Sequence, residues 1–261
     1  MPSTRGKCQF CSKPGQLTKS HIWPEWAERV LPETAAHHEH TTGQFHTFTP
    51  KASGPSFSHR IRQGHVGTRK PRNTCLRCNS GWMRLIEENT MPFLGHLLKA
   101  ESFLLGLAEQ QMLAALLCLV SMRIEAAWRD GPRAIPQSDR DWLMENPEPP
   151  SGWKIWIARY VGPQRMDQRH TPMQLASSPD VVKGIERCNT QVTSLIVGQF
   201  YAHLFSSTVW KNFSGYQGAD LVQLWPLSQR GINTQFFPVI FEQEIPWLHE
   251  TIVRTTPHVE G

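Results

Sequence analysis

The sequence predicts an α+β protein with a cysteine-stapled N-terminal module, a helical middle and a C-terminal region rich in strands. Three observations carry that prediction. Two Cys-x-x-Cys turns, Cys8-Gln-Phe-Cys11 and Cys75-Leu-Arg-Cys78, bracket the first part of the chain. Apolar residues at Met112, Leu113, Leu116, Leu119, Val120 and Ile124 follow the 3.6-residue rhythm of a helix. After Pro150 the texture changes to short runs of β-branched, aromatic and aliphatic residues. Three segments are therefore expected, 1–90, 91–135 and 136–261. At 261 residues and 39% hydrophobic content the chain can bury a sizeable core.

Each Cys-x-x-Cys turn presents two thiolates from one tight bend. That suits two edges of a tetrahedral zinc site, with four sulfurs at about 2.3 Å from the ion. The 63 residues between the turns exceed the usual zinc-ribbon gap. Two surface disulfides, or cysteines sharing no site, are the alternatives. Residues 1–7 have no apolar run behind them, which predicts no secretory signal. The longest apolar run, 112–120, is nine residues, well short of a membrane span. A cytoplasmic protein with no membrane partner is the expectation, and a reducing compartment favours thiolate–metal bonds over disulfides. Cys118, inside the apolar run, reads as a core residue, and Cys188 has no partner turn.

Charge is distributed unevenly. Residues 1–89 hold 13 Lys and Arg against six Glu and no Asp, a net +7. The remainder is at −2, so the overall +5 comes from the cysteine-bearing segment. A basic excess on one module points to a polyanionic partner, although solubility alone is also served by it.

Taken in order, residues 5–23 read as a knuckle followed by a strand with Leu17 and Ile22 as its apolar members. Pro24 breaks that strand, and residues 25–31 suit one or two helical turns. Residues 32–60 lack periodicity and read as a long loop, in which His37, His38, His40 and His46 are solvated rather than metal ligands. Arg60, Arg62, Arg69, Lys70 and Arg72 crowd the approach to the second turn, where Arg77 adds another cation. A second strand is expected among them, with side chains suited to phosphates. Helices are expected near 79–89, 93–107 and 108–129, and a short one at 139–144. Strands are expected at 153–161, 191–204, 221–225 and 236–241, with alternate residues of 191–204 facing two covered sides.

The order Cys8-x-x-Cys11, Ser20-His21-Ile-Trp-Pro24, Cys75-x-x-Cys78-Asn79 resembles the HNH, or His-Me finger, endonuclease superfamily. Within it the likeness is to the zinc-bound branch that includes phage recombination endonuclease VII. The continuation Asn79-Ser-Gly-Trp82-Met-Arg-Leu-Ile-Glu87 is similar to uncharacterised bacterial proteins of the same kind. The resemblance covers about the first third of the chain. It implies a ββα-metal module in which structural zinc, on Cys8, Cys11, Cys75 and Cys78, holds a strand against a helix. It also implies a Mg²⁺- or Mn²⁺-dependent DNA endonuclease, with RNA left open as substrate.

On that reading His21 is the general base that takes a proton from water, and Asn79 offers a carbonyl oxygen to the divalent ion. One departure matters. Ser20 stands where the family has Asp or Glu, and a hydroxyl is a weaker ligand for a hard cation than a carboxylate. No Asp precedes Asp130, which makes Glu25 the nearest substitute in sequence. Two rivals remain: a catalytically silent zinc module that grips nucleic acid, and an interaction protein whose zinc is merely structural.

Overall fold

The computed structural model describes residues 5–30, 37–44, 56–63, 70–128, 131–163, 165–173, 188–209, 220–228 and 230–254. The N-terminal part contains β1 (Arg5–Lys7), β2 (Pro14–Lys19), α1 (Glu25–Val30), β3 (His37–Gln44), β4 (Ser56–Gln63) and β5 (Arg72–Cys75). Helices α2 (Leu76–Ser80) and α3 (Trp82–Leu98), strand β6 (Leu104–Leu105), then α4 (Leu107–Ala126) and α5 (Gln137–Glu145) follow. The chain continues through β7 (Trp153–Val161), β8 (Arg165–Met173), β9 (Thr190–Gly198) and β10 (Phe200–Ser207). It closes with β11 (Val222–Trp225), β12 (Ile232–Asn233), β13 (Val239–Phe241) and α6 (Glu244–Arg254).

β1, β2 and β5 form one antiparallel sheet in that order. The strand leaving the first cysteine turn therefore lies beside the strand entering the second, with Leu17 opposite Cys75. The first turn closes through Ser12 N–H to the Cys8 carbonyl and Cys8 N–H to the Lys13 carbonyl, both at 3.0 Å. Ser12 sits at φ 56°, a left-handed conformation uncommon outside glycine. At α1, Pro24 stands at the threshold, where its missing N–H costs no helical bond.

β5 runs directly into α2, and Gly81 separates α2 from α3. A Cβ at position 81 would overlap the Arg77 carbonyl oxygen, so a side chain there would force the two helices apart. Helix α3 is continuous through position 90, and the segment boundary expected there falls inside it.

The rhythm of residues 112–124 predicts one apolar stripe, yet every residue of 113–126 is buried. Helix α4 is enclosed because α3 packs along it on one side and β8, β10 and β11 on the other. Cys118 lies fully inside this core. By length and a mean hydropathy of 1.3 the helix is apolar enough to cross a membrane, but 72% of that stretch is buried inside the protein itself.

The large sheet has strand order β11-β7-β10-β9-β8, and β13 adds to β7 in parallel. Ile155, Ile157, Leu195, Val197, Ala202 and Leu204 belong to the core around α4. Their neighbours Ala158, Tyr160, Ile196 and Tyr201 join Ile245 and Leu248 of α6 in a second cluster. Side chains alternate across a strand, so both faces of the sheet are covered, as the pattern of 191–204 predicts. That stretch is two strands rather than one, turned tightly at Gly198, whose φ of 61° suits glycine.

Several expectations are corrected. The stretch 32–60 contains the paired strands β3 and β4, and β3 runs beside β8. The strand before the second cysteine turn is β5, which pairs with β2, whereas β4 pairs with β3. Ile22 lies beyond the end of β2 and is buried in the bend that follows. The helix expected at 93–107 is the second half of α3, ending at Leu98. Both β8 and α6 arise where the sequence suggests neither.

Glu125 and Arg140 form an ion pair at 2.7 Å inside this core, with side chains 0% and 5% exposed. The carboxylate also accepts the Ala134 and Ile135 amides, and the Arg140 guanidinium donates to the Ile135 carbonyl. Each charge is thus met by several partners, the condition under which a buried pair persists.

Candidate metal centre and adjoining site

The cysteine turns meet where β2, β5 and α2 converge. The sulfurs of Cys8, Cys11, Cys75 and Cys78 all lie within 4.8 Å of one another. Cys11 and Cys75 are 3.7 Å apart, close to the roughly 3.8 Å edge of a tetrahedron built on Zn–S bonds of about 2.3 Å. Cys8 and Cys78 are buried, and Cys11 and Cys75 half-buried. The Cys75 N–H points at the Cys8 sulfur at 3.3 Å.

The Cys78 thiol hydrogen-bonds to Cys8 and draws its pKa down to about 4, against burial and helped by the Cys75, Cys11 and Phe10 amides. Cys78 is raised correspondingly, by the same bond and by burial. Four sulfurs gathered this closely, with Cys8 favoured as a thiolate, are the donor set of a four-cysteine zinc centre. Among the described residues these cysteines are the sole cluster of three or more metal-ligating side chains. The residues present fit zinc, in a closed arrangement with no open coordination position.

The cluster fixes what surrounds it. Phe10, inside the first turn, packs edge-on against Trp82 of α3 at 6.0 Å between ring centres. Gln137 of α5 donates to the Phe10 carbonyl, which ties the middle of the chain to the same turn.

Asn79 is inside α2. Its amide donates to the Lys19 carbonyl at 3.2 Å and to the Thr18 hydroxyl at 3.4 Å. The strand register slips at Thr18 and Lys19, the irregularity expected where a strand re-aims its side chains. Helix α2 thereby grips the end of β2 immediately before Ser20 and His21.

Ser20 is buried, with its hydroxyl donating to the His21 carbonyl at 3.4 Å and its N–H to the Pro71 carbonyl at 3.0 Å. The His21 Nε2 atom lies 3.6 Å from the Glu25 carboxylate, one helical turn onward. Glu25 also meets Lys70 at 3.8 Å. His21, Glu25 and Lys70 thus form a row at the rim. Glu25 is the carboxylate that stands beside His21, where Ser20 supplies none.

The basic residues divide. Lys70 is exposed and occupied by Glu25, Arg72 is half-buried in β5, and Arg77 is exposed on α2. Arg60 and Arg62 fall on β4, opposite His40 and His38 of β3. Arg69 lies outside the described residues, as does His46.

Sequence reasoning missed one contributor. Arg123 of α4, 3% exposed, pairs with Glu87 of α3 at 2.5 Å and donates to the Ile22 carbonyl at 3.4 Å. It locks the residue after His21 to both central helices. The sequence clue was a charged residue within an apolar helix. No protein-family model matches this chain, and neither a curated protein nor a solved structure does.

Proposed function

We propose that this protein is a metal-dependent endonuclease of the HNH type, acting on DNA phosphodiester bonds and stapled by one zinc ion on Cys8, Cys11, Cys75 and Cys78. The observation that carries the reading is the grip of Asn79 on the Lys19 carbonyl. An antiparallel strand pair, β2 and β5, leads into a helix whose asparagine faces the strand end bearing His21, with four sulfurs clamping the arrangement. The basic excess of residues 1–89 supports a polyanionic substrate.

His21 acts as the base that takes a proton from the attacking water, and Glu25, 3.6 Å away, orients the neutral imidazole. The carbonyl oxygen of Asn79 and the carboxylate of Glu25 are hard donors of the kind that holds Mg²⁺ or Mn²⁺ together with substrate phosphate. When bound, such an ion neutralises charge on the scissile phosphate and the leaving oxygen. Lys70, Arg72 and Arg77, which lie just before or within the second cysteine turn in sequence, would supply cations for flanking phosphates. The zinc has no catalytic part.

Plasmid cleavage with Mg²⁺, Mn²⁺ and EDTA, by the parent and by His21→Ala, tests the reading. His21→Ala should lose about 10²–10⁴-fold in rate while keeping its zinc and fold. Cleavage at the parental rate overturns it. One observation favours a second reading, a silent nucleic-acid-binding module: Ser20 stands in the acidic position and turns its hydroxyl onto the His21 carbonyl. That protein would bind DNA in a salt-dependent way and cleave nothing.

A further inference from the structure

A cleft of about 330 Å³ opens on the far side of α5 from the cysteine turn, and the mechanism above makes no use of it. Helix α5 builds one wall, with Ser138, Asp139 and Trp142 on a shared face. Trp153, at the start of β7, lies beneath, and Ser206 and Thr208 at the end of β10 stand opposite. The volume is at the small end of the roughly 300–1,000 Å³ range of ligand pockets.

The lining has a consistent chemistry. Trp142 is 43% exposed, a large flat ring left at the mouth rather than buried. Trp153 is buried, and its indole N–H donates to the Asp139 carboxylate at 2.7 Å, holding that acid at the cleft wall. Serine and threonine residues line the remaining walls together with Pro136 and Pro150, and the one charged residue among the described lining is negative. A phosphate is repelled by that acid, whereas an uncharged planar ring with N–H donors is accepted by both the indole face and the carboxylate. Adenine, cytosine and guanine carry exocyclic amino groups. Thymine flanks its single N–H with two carbonyl oxygens, which face a carboxylate poorly.

The helix that forms one wall of the cleft also contacts the first cysteine turn. Pro136, which lines the cleft, precedes Gln137, whose side chain donates to the Phe10 carbonyl between Cys8 and Cys11. We propose that this cleft takes one unpaired, amino-bearing nucleobase of the substrate, stacked on Trp142 and hydrogen-bonded to Asp139. The inference rests on the nucleic-acid reading above and adds to it a preference for substrates with an unpaired base.

Anisotropy of labelled oligo(dA), oligo(dT) and a blunt duplex, measured on the full zinc-loaded chain without Mg²⁺ or Mn²⁺, tests it. The parent should bind oligo(dA) more tightly than oligo(dT). Trp142→Ala should weaken oligo(dA) binding about fivefold or more, and Trp142→Phe should retain most of it. Duplex binding should be unchanged in both. Asp139→Asn should reduce the difference between oligo(dA) and oligo(dT). Trp142 is exposed, so its replacement leaves the core intact, and thermal melting verifies that.

Equal affinity of parent and Trp142→Ala for oligo(dA) overturns the inference, as does an equal loss on the duplex. Free deoxyadenosine titrated against the Trp142 indole resonance reads the cleft independently of cleavage. A shift with deoxyadenosine and none with glucose supports a base site; a shift with glucose alone overturns it. If the parent cleaves plasmid with Mg²⁺ and the cleft fails these tests, the nuclease reading stands without the inference. If deoxyadenosine binds and plasmid is never cleaved, the nuclease reading fails while the cleft remains a base site.

Discussion

Cys11 and Cys75, far apart in the chain, bring their sulfurs to 3.7 Å. That approach closes residues 12–74 into a loop and sets two strands and a helix around one point. One zinc per chain is the expected content by elemental analysis of reduced protein. Cys75→Ser should lose the ion and destabilise the module, because metal binding free energy in such small sites is largely folding free energy. A folded, reduced sample without zinc would remove the centre.

Glu25 lies between His21 and Lys70, so a change there tests both neighbours. On the nuclease reading Glu25→Gln should raise the Mg²⁺ concentration needed for half-maximal cleavage, since an amide oxygen is a weaker ligand than a carboxylate. A metal titration of parent and variant checks this. Identical titrations would separate Glu25 from the ion.

Gly81→Ala should destabilise the protein by about 1–3 kcal/mol, the usual scale of a forced overlap. The added carbon runs into the Arg77 carbonyl oxygen, a backbone atom of the helix that carries Cys78. Weaker zinc retention in a chelator competition should accompany the lower melting temperature. Unchanged stability would show that α2 and α3 can shift freely about this residue.

Arg140→Met should cost about 3–5 kcal/mol by leaving the Glu125 carboxylate without its nearest cation in the core, with only the His170 imidazole beside it at 3.6 Å. Adding Glu125→Leu to it should recover much of that loss. Chemical denaturation of the single and double variants measures the recovery. If the two changes simply add, the charges do not act as a pair.

Burial holds two histidines neutral on the α6 side of the sheet. His203 is lowered to about 3 by desolvation, and His249 lies well below its ordinary value through burial and the nearby charges of His203, Arg169 and His170. The two share the Ser194 hydroxyl, at 3.0 Å and 2.9 Å, and His249 meets Thr171 at 2.7 Å. An unfolded histidine binds its proton near pH 6.5, so below that pH the unfolded chain takes up protons that the folded one refuses. Stability from these residues is present above about pH 6.5 and declines as pH falls, by up to about 1.4 kcal/mol per pH unit for each histidine. Denaturation midpoints between pH 7 and pH 4, roughly the window opened by this shift, should fall less steeply in His203→Phe. An unchanged slope would exclude His203 as its source.

The sequence by itself determined what depends on local chemistry. Two Cys-x-x-Cys turns, the proline before α1, the α5 segment and the apolar run of β7 are each specified by neighbouring residues, and each forms where its pattern lies. Tertiary structure decided what depends on distant partners. β8 is rich in polar residues and has no strand-like alternation of its own, yet His170 and Thr171 are buried because Thr193 and His249 hydrogen-bond to them. Helix α4 carries one stripe in its sequence and is buried all round because the sheet covers its second side. Arg123 finds Glu87 and Ile22, and Trp142 overlooks a cleft bounded by β10. Local patterns encode backbone conformation through neighbouring side chains, whereas burial of polar groups is affordable only once a remote partner arrives to satisfy them.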